Sequence, residues 1–304
     1  MLTQVLAALF LSQGTPVAPA IYTQSTTSAD GIVEMRTEAQ RFTAEGKPDV
    51  WLVGAIHIGS KKYYSEIQTL LDSQGTVLYE GVKPSKNAPA PVPAAKPDPN
   101  APKPIYQVLS DALGLVFQLN EINYKHTNWV NSDLSMDDLD KLNKEKGGGK
   151  PTSFDTIKQV LDPNSPMAKQ LAAMLGTASD GMKEALKLVI AASVASGKMP
   201  GVDATMQEIV IEARNKAALD VFAKTISAPA PPKSVAIFYG AMHMPDMEKN
   251  LMATYGYKPA EQKWFLAVTG DKKKMDAQGK QLYEMFQNMS APPKSGGGLL
   301  AAFF

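Results

Sequence analysis

The chain has 304 residues, of which 44% are hydrophobic and 20% charged, and its net charge at pH 7 is +1. This composition is typical of a soluble protein with a sizeable core, and the near-neutral charge gives no reason to expect nucleic acid or a membrane surface as a partner. The chain contains no cysteine, which excludes thiolate catalysis, disulfides and cysteine–zinc sites.

The N-terminus carries an apolar run, Val5–Leu11, followed by the small-residue stretch PVAPA at 16–20. This order is typical of a secretory signal peptide cleaved after Ala18 or Ala20. We therefore expect residues 1–20 to be a signal peptide and the protein to be exported to the periplasm, the cell envelope or the medium. Because no lysine or arginine precedes the apolar run, an N-terminal helix packed on the body is the alternative.

The first folded elements predict a strand–helix–strand unit. Residues 32–55 indicate two strands joined by a polar turn around Gly46–Asp49. Ser60 is a typical cap for a helix over 61–73, whose apolar residues follow helical spacing. Another short apolar strand follows at 76–81. A βαβ unit of this length favours a parallel strand pair with a right-handed crossover.

The middle of the chain is different in composition. Residues 83–104 are rich in proline and alanine and predict a mobile surface loop. Residues 105–227 are helical in pattern, with a capping box formed by Ser135 and Asp138. The pattern returns to a strand at 234–240, then helix, strand and helix.

The fold class that follows is α/β. We expect a central mixed, largely parallel sheet built from the N- and C-terminal segments, with a helical insertion between them. Residues 30–290 would form a single domain, and residues 291–304 a flexible tail.

Three apolar runs end on a polar side chain, and these are the main candidates for chemistry. His57, Glu80 and His243 follow the strands at 50–54, 76–79 and 234–240. The carboxyl ends of parallel strands form one edge of a sheet, where ligand sites occur, so the three side chains are expected to converge. Glycines three residues before each histidine, at Gly54 and Gly240, allow a sharp turn or a close approach.

Two imidazoles and a carboxylate are suitable ligands for Mn²⁺, Co²⁺ or Zn²⁺, and such a metal can activate water for hydrolysis. The spacing is unlike the helical H-E-x-x-H of zinc proteases. The alternative is a pair of structural histidines at strand ends.

Other polar residues are weaker candidates. Arg214 would bind a substrate oxygen or orient Glu80, or else form an ordinary salt bridge. His126 would be a third ligand, a substrate contact or a surface residue. Asp133 would contact substrate or form a turn, and Asp133 and Asp246 are candidates to complete a metal shell.

Four segments resemble the TraB/GumN/PrgY family, whose animal relatives are the Tiki proteases. They occur in the family's order and span roughly residues 32 to 270. They are LVGAIHIGSKKYY with Gly54 and His57, TVLYEGV with Glu80, EARNKAALDVFAKTI with Arg214 and Asn215, and AIFYGAMHMPDMEKNL with Gly240 and His243.

The resemblance implies an α/β fold in which both histidines and the glutamate form one metal-dependent hydrolase site. The Tiki branch is similar to metalloproteases that act on peptides. We therefore expect a peptidase-like hydrolase for a peptide or small molecule, with Glu80 as ligand or base, Arg214 stabilising the oxyanion, and substrate contacts from His126, Asp133 and Asn215. The alternatives are a non-catalytic binding protein that uses the same cleft and a structural envelope protein.

Overall fold

The structure is a computed structural model that describes residues 21–86, 102–148, 150–195 and 204–290. The predicted signal peptide (1–20), most of the Pro/Ala-rich segment (83–104) and the predicted tail (291–304) lie outside these residues and stay predictions.

In the described ranges, the strands are β1 (Thr23–Thr27), β2 (Ile32–Thr43), β3 (Asp49–Ala55), β4 (Ile58–Gly59), β5 (Thr76–Tyr79), β6 (Val116–Phe117), β7 (Trp129–Asn131), β8 (Ser234–Gly240) and β9 (Lys258–Asp271). The helices are α1 (Lys61–Asp72), α2 (Ile105–Leu113), α3 (Gln118–Glu121), α4 (Met136–Gly147), α5 (Ser153–Leu161), α6 (Pro166–Thr177), α7 (Asp180–Ala195), α8 (Ala204–Gln207), α9 (Ala213–Ile226), α10 (Met244–Tyr255) and α11 (Ala277–Ser290). A π-helical turn, Glu208–Glu212, joins α8 to α9, and a 3-10 turn, Ala241–His243, precedes α10. None of these helices is both long and apolar enough to cross a bilayer.

The predicted α/β class is confirmed: a mixed sheet carries helices between its strands. Strand β2 pairs with β9 along one edge and with β1 and β3 along the other, and these pairs are antiparallel. From β3 the sheet continues through β8 and β5 to β7, and these pairs are parallel. As predicted, segments from both ends of the chain build the sheet. The carboxyl ends of β3, β8 and β5 therefore lie side by side.

The described residues of the region 105–227 are mainly helical and include two short strands that the sequence did not predict. Strand β7 adds to the edge of the main sheet beside β5. Strand β6 pairs with β4, the two residues that follow His57. Strand β7 is only three residues long, which is too short to show a periodicity, and its pairing with β5 depends on tertiary contact.

Side chains of β3 alternate between two apolar clusters. Val50 and Leu52 belong to the cluster formed with α9 and α10, and Trp51 and Val53 to the one formed with α1, α2 and α7. A strand buried on both faces is what a parallel sheet between helical layers requires.

Local caps fix the helices that lead away from the sheet edge. The Ser60 hydroxyl accepts from the Tyr63 amide at 3.2 Å, and Ser135 forms the predicted capping box with Asp138. These bonds satisfy amide groups that have no partner within the helix.

Candidate functional site

His57, Glu80 and His243 lie at one end of the sheet, immediately after β3, β5 and β8. The register explains this: Ala55 is paired with Gly240, and the Glu80 amide donates to the Phe238 carbonyl at 2.9 Å. All three side chains line one small cavity of about 20 Å³. This is about the volume that a single water molecule occupies.

Both oxygens of Glu80 have a hydrogen-bond donor. Arg214 Nη2 donates to Oε1 and the Gly240 amide donates to Oε2, each at 2.6 Å. Burial alone raises the pKa of Glu80, but the positive charge of Arg214, with smaller effects of both histidines and the Gly240 amide, lowers it to well below the usual value. The charged form of Glu80 is therefore the one that its surroundings favour.

Arg214 is held by a second buried carboxylate. Its Nε and Nη2 donate to Asp133 Oδ1 and Oδ2 at 2.9 and 2.6 Å. Asp133 also accepts from the amides of Gly81 and Leu134, and its side chain has no exposed surface. Burial lowers the pKa of Arg214, but Glu80 and Asp133 raise it above the ordinary value overall, so the guanidinium stays charged. The structure thus places Asp133 as a partner of Arg214.

His243 is buried, with 3% of its surface exposed, and each of its ring nitrogens faces a different group. Nδ1 lies 2.6 Å from Asn215 Oδ1, an acceptor, so Nδ1 carries the proton. Nε2 lies 3.7 Å from Glu80 Oε1. Burial lowers the pKa of His243 to about 4 despite the opposing effect of Glu80. At neutral pH an Nε2 lone pair therefore faces a carboxylate oxygen.

His57 lies at the opening of the site and is half-buried. Its ring packs on Tyr106 with a centroid distance of 4.8 Å. The backbone amide of Gln118 donates to the His57 carbonyl at 2.9 Å. Burial lowers the pKa of His57. Sequence reasoning missed Tyr106 and Gln118, because both lie in an amphipathic stretch with no motif.

A larger cavity of about 320 Å³ opens beside the site. His57, Glu80 and Arg214 form its polar end. Most of its wall is apolar and comes from the region 105–227. Those wall residues are Tyr106, Phe117, Leu119, Met136, Leu139, Phe154, Ile157, Leu161, Met206 and Val210.

One charged side chain, Lys158, also lines this larger cavity, and it is paired with Asp140 at 2.7 Å and with Asp155 at 3.4 Å. Three large apolar side chains of the lining are exposed at its mouth: Val82, Leu119 and Leu161. The cavity therefore offers an apolar surface next to the polar cluster.

Two predicted candidates lie away from the cavities. His126 is partly exposed, hydrogen-bonds Asn123 at 3.1 Å and lies 3.4 Å from Asp72; it lines neither cavity. Asp246 accepts from Asn215 at 2.8 Å and from Asn250. Asn215 itself has no exposed surface and lies behind His243.

The two glycines before the histidines have ordinary negative φ angles. At Gly54 a Cβ would lie 3.2 Å from the Glu38 carbonyl and 3.3 Å from Ala241 Cα. The close packing of the backbone at this position therefore requires glycine. At Gly240 a Cβ would lie 3.4 Å from Glu80 Oε2 and 3.6 Å from the His243 ring. A methyl there fits, but it would be in contact with both site residues.

In the described part of the chain, no group of three or more His, Cys, Asp or Glu side chains is positioned to hold a metal ion. The facing pair His243 and Glu80 is the nearest approach to such a site. Comparison of the chain with protein-family models, with curated proteins and with solved structures finds no match.

Proposed function

We propose that the protein is a metal-dependent hydrolase of the peptidase type. One observation carries the proposal: His243 Nε2 and Glu80 Oε1, two acceptors, face each other at 3.7 Å. Two acceptors repel unless a cation or a hydrogen-bond donor lies between them. Ligand atoms at about 2.0–2.2 Å from a metal are separated by up to roughly twice that length, and this separation falls within that limit.

The donor atoms fit the expected metals. Imidazole nitrogen and carboxylate oxygen suit Mn²⁺, Co²⁺ or Zn²⁺. His57 lines the same small cavity and would become a third ligand only if its side chain moved towards the pair, because no three such side chains of the described residues are positioned to hold a metal. Such a cation supplies a positive charge that polarises the bond to be hydrolysed.

The surrounding residues have distinct roles in this proposal. Glu80 acts as a ligand rather than as a general base, because Arg214 and the Gly240 amide stabilise its charged form. Arg214 keeps Glu80 in place and also lines the larger cavity, so its charge lies near the oxygen of a bound substrate and would stabilise a developing negative charge.

The larger cavity indicates the substrate. Its apolar wall and exposed apolar mouth suit a peptide with a bulky apolar side chain beside the scissile bond. We also propose that the protein is related to the TraB/GumN/PrgY family and that it is exported. Both proposals are based on the sequence.

The test is hydrolysis of a mixed peptide library, followed by mass spectrometry, with protein loaded with Mn²⁺, Co²⁺ or Zn²⁺ in turn. We expect cleavage next to large apolar residues, loss of cleavage with a chelator, and loss in His243→Gln and Glu80→Gln. His126→Gln, which changes a histidine outside the site, is the matched control and should cleave normally. Absence of cleavage with every metal contradicts a peptidase.

A non-catalytic binding protein is the second candidate. It is favoured by the low pKa of Glu80, which makes this carboxylate a poor base for hydrolysis. Binding of an apolar peptide that persists in the presence of a chelator, without cleavage, would identify this function.

A further inference from the structure

Asn215 connects His243 to Asp246 through three hydrogen bonds. Its Oδ1 lies 2.6 Å from His243 Nδ1, while its Nδ2 donates to the His243 carbonyl at 3.2 Å and to Asp246 Oδ2 at 2.8 Å. Asn215 is completely buried and His243 nearly so. Because both polar ends of this buried amide are hydrogen-bonded, only one of its two orientations avoids a large loss of hydrogen-bond energy.

The two Nδ2 partners decide that orientation. A backbone carbonyl and the Asp246 carboxylate accept hydrogen bonds, so the NH₂ end of Asn215 must face them. Flipping the amide would set its oxygen against two acceptors. The oxygen therefore faces His243, and the imidazole must place its proton on Nδ1.

The same arrangement acts against the tautomer that Glu80 alone would favour. The Glu80 carboxylate is an acceptor 3.7 Å from Nε2, so an imidazole free to choose would place its proton there. That proton would then occupy the space between the two side chains.

We propose that Asn215, held by Asp246, is a positioning residue that fixes the Nδ1–H tautomer of His243 and keeps the Nε2 lone pair directed at Glu80. Arg214, the preceding residue, positions Glu80, so two consecutive residues orient both members of the pair. They follow directly on the π-helical turn Glu208–Glu212, and such turns are frequent at functional sites.

The test uses ¹⁵N-histidine-labelled, metal-free full-length protein and two-bond ¹H–¹⁵N correlation spectra, which distinguish the tautomers. The chain has three histidines, and His57→Gln and His126→Gln assign the remaining signals. We expect Nδ1–H for His243 in the unmodified protein and a shift to Nε2–H in Asn215→Ala.

Two further variants separate positioning from simple stability. Asp246→Ala removes the carboxylate that holds the Asn215 amide and leaves the Asn215 contact with His243 Nδ1 in place, and it should lower the share of the Nδ1–H tautomer. Asn250→Ala, which removes another partner of Asp246 without touching His243, is the matched control and should leave the tautomer unchanged.

An Nε2–H signal in the unmodified protein, or an unchanged tautomer in Asn215→Ala, overturns the proposal. If Asn215→Ala does not fold, Asp246→Ala decides, because an unchanged tautomer there also overturns the proposal. The measurement needs no metal and no substrate, so its result is independent of the proposed hydrolase activity.

Discussion

The polar cluster at the sheet edge and the apolar cavity beside it are built on different principles. In the cluster, Glu80, Arg214, Asp133 and His243 are fixed by buried hydrogen bonds, most of them between charged groups. The cavity wall is formed by apolar side chains from the region 105–227, which are positioned by packing. In the proposed hydrolase, the sheet edge would supply the chemistry and the helical region would select the substrate.

If paired charges stabilise the polar cluster, breaking one of these pairs should lower the free energy of unfolding more than the other substitutions described below. Arg214→Met leaves the carboxylates of Glu80 and Asp133 buried without their shared cation, and we expect a loss of about 3–5 kcal/mol in the free energy of unfolding. Urea denaturation monitored by circular dichroism measures this loss.

Lys216→Met, two residues further along α9, is the control for Arg214→Met. Lys216 forms an exposed ion pair with Asp220, so we expect a change of at most about 1 kcal/mol. Equal losses of stability in the two variants would show that the buried ion pairs of Arg214 stabilise the fold no more than an exposed ion pair does.

The two glycines test the same difference, because Gly54 is packed against backbone atoms and Gly240 lies beside Glu80 and His243. Gly54→Ala forces a methyl against backbone at 3.2–3.3 Å and should cost about 1–3 kcal/mol. Gly240→Ala should change stability little and instead weaken binding of Mn²⁺, since its methyl would contact Glu80 Oε2 at 3.4 Å and the His243 ring at 3.6 Å. Thermal unfolding and metal titration of both variants check this, and weaker metal binding in Gly54→Ala alone would contradict it.

A substitution at the mouth of the larger cavity should change the binding of an apolar ligand rather than the stability of the protein. Leu161→Asp puts a charge at the apolar mouth, and we expect about tenfold weaker binding of the neutral apolar probe N-phenyl-1-naphthylamine, corresponding to about 1.4 kcal/mol. Met252→Asp is the matched control, because Met252 is 39% exposed and Leu161 38%, and Met252 does not line the cavity. Equal affinities of the two variants for the probe in a fluorescence titration would show that the probe does not bind in this cavity.

The sequence predicts the elements that follow local rules. The strands ending before His57, Glu80 and His243 are recognisable because each is a short apolar run, and Ser60 and Ser135 mark helix starts by their side-chain chemistry. Convergence of the strand ends follows from parallel pairing.

What the sequence could not predict depends on contacts between distant segments. Pairing of Asp133 with Arg214 spans 81 residues, and the contact of Asn215 with His243 spans 28. No local pattern encodes such pairs. The aromatic and apolar cavity wall has the same periodicity as ordinary core residues, so only its position beside the sheet edge distinguishes it.

Calorimetric titration of the metal-free protein with Mn²⁺, Co²⁺ and Zn²⁺ at neutral pH measures whether His243 and Glu80 bind a metal together. We expect one site per chain for at least one of these ions, lost in His243→Gln and in Glu80→Gln and retained in His126→Gln. No binding of any of the three ions, or binding that survives both site variants, would contradict the claim that His243 and Glu80 share a metal.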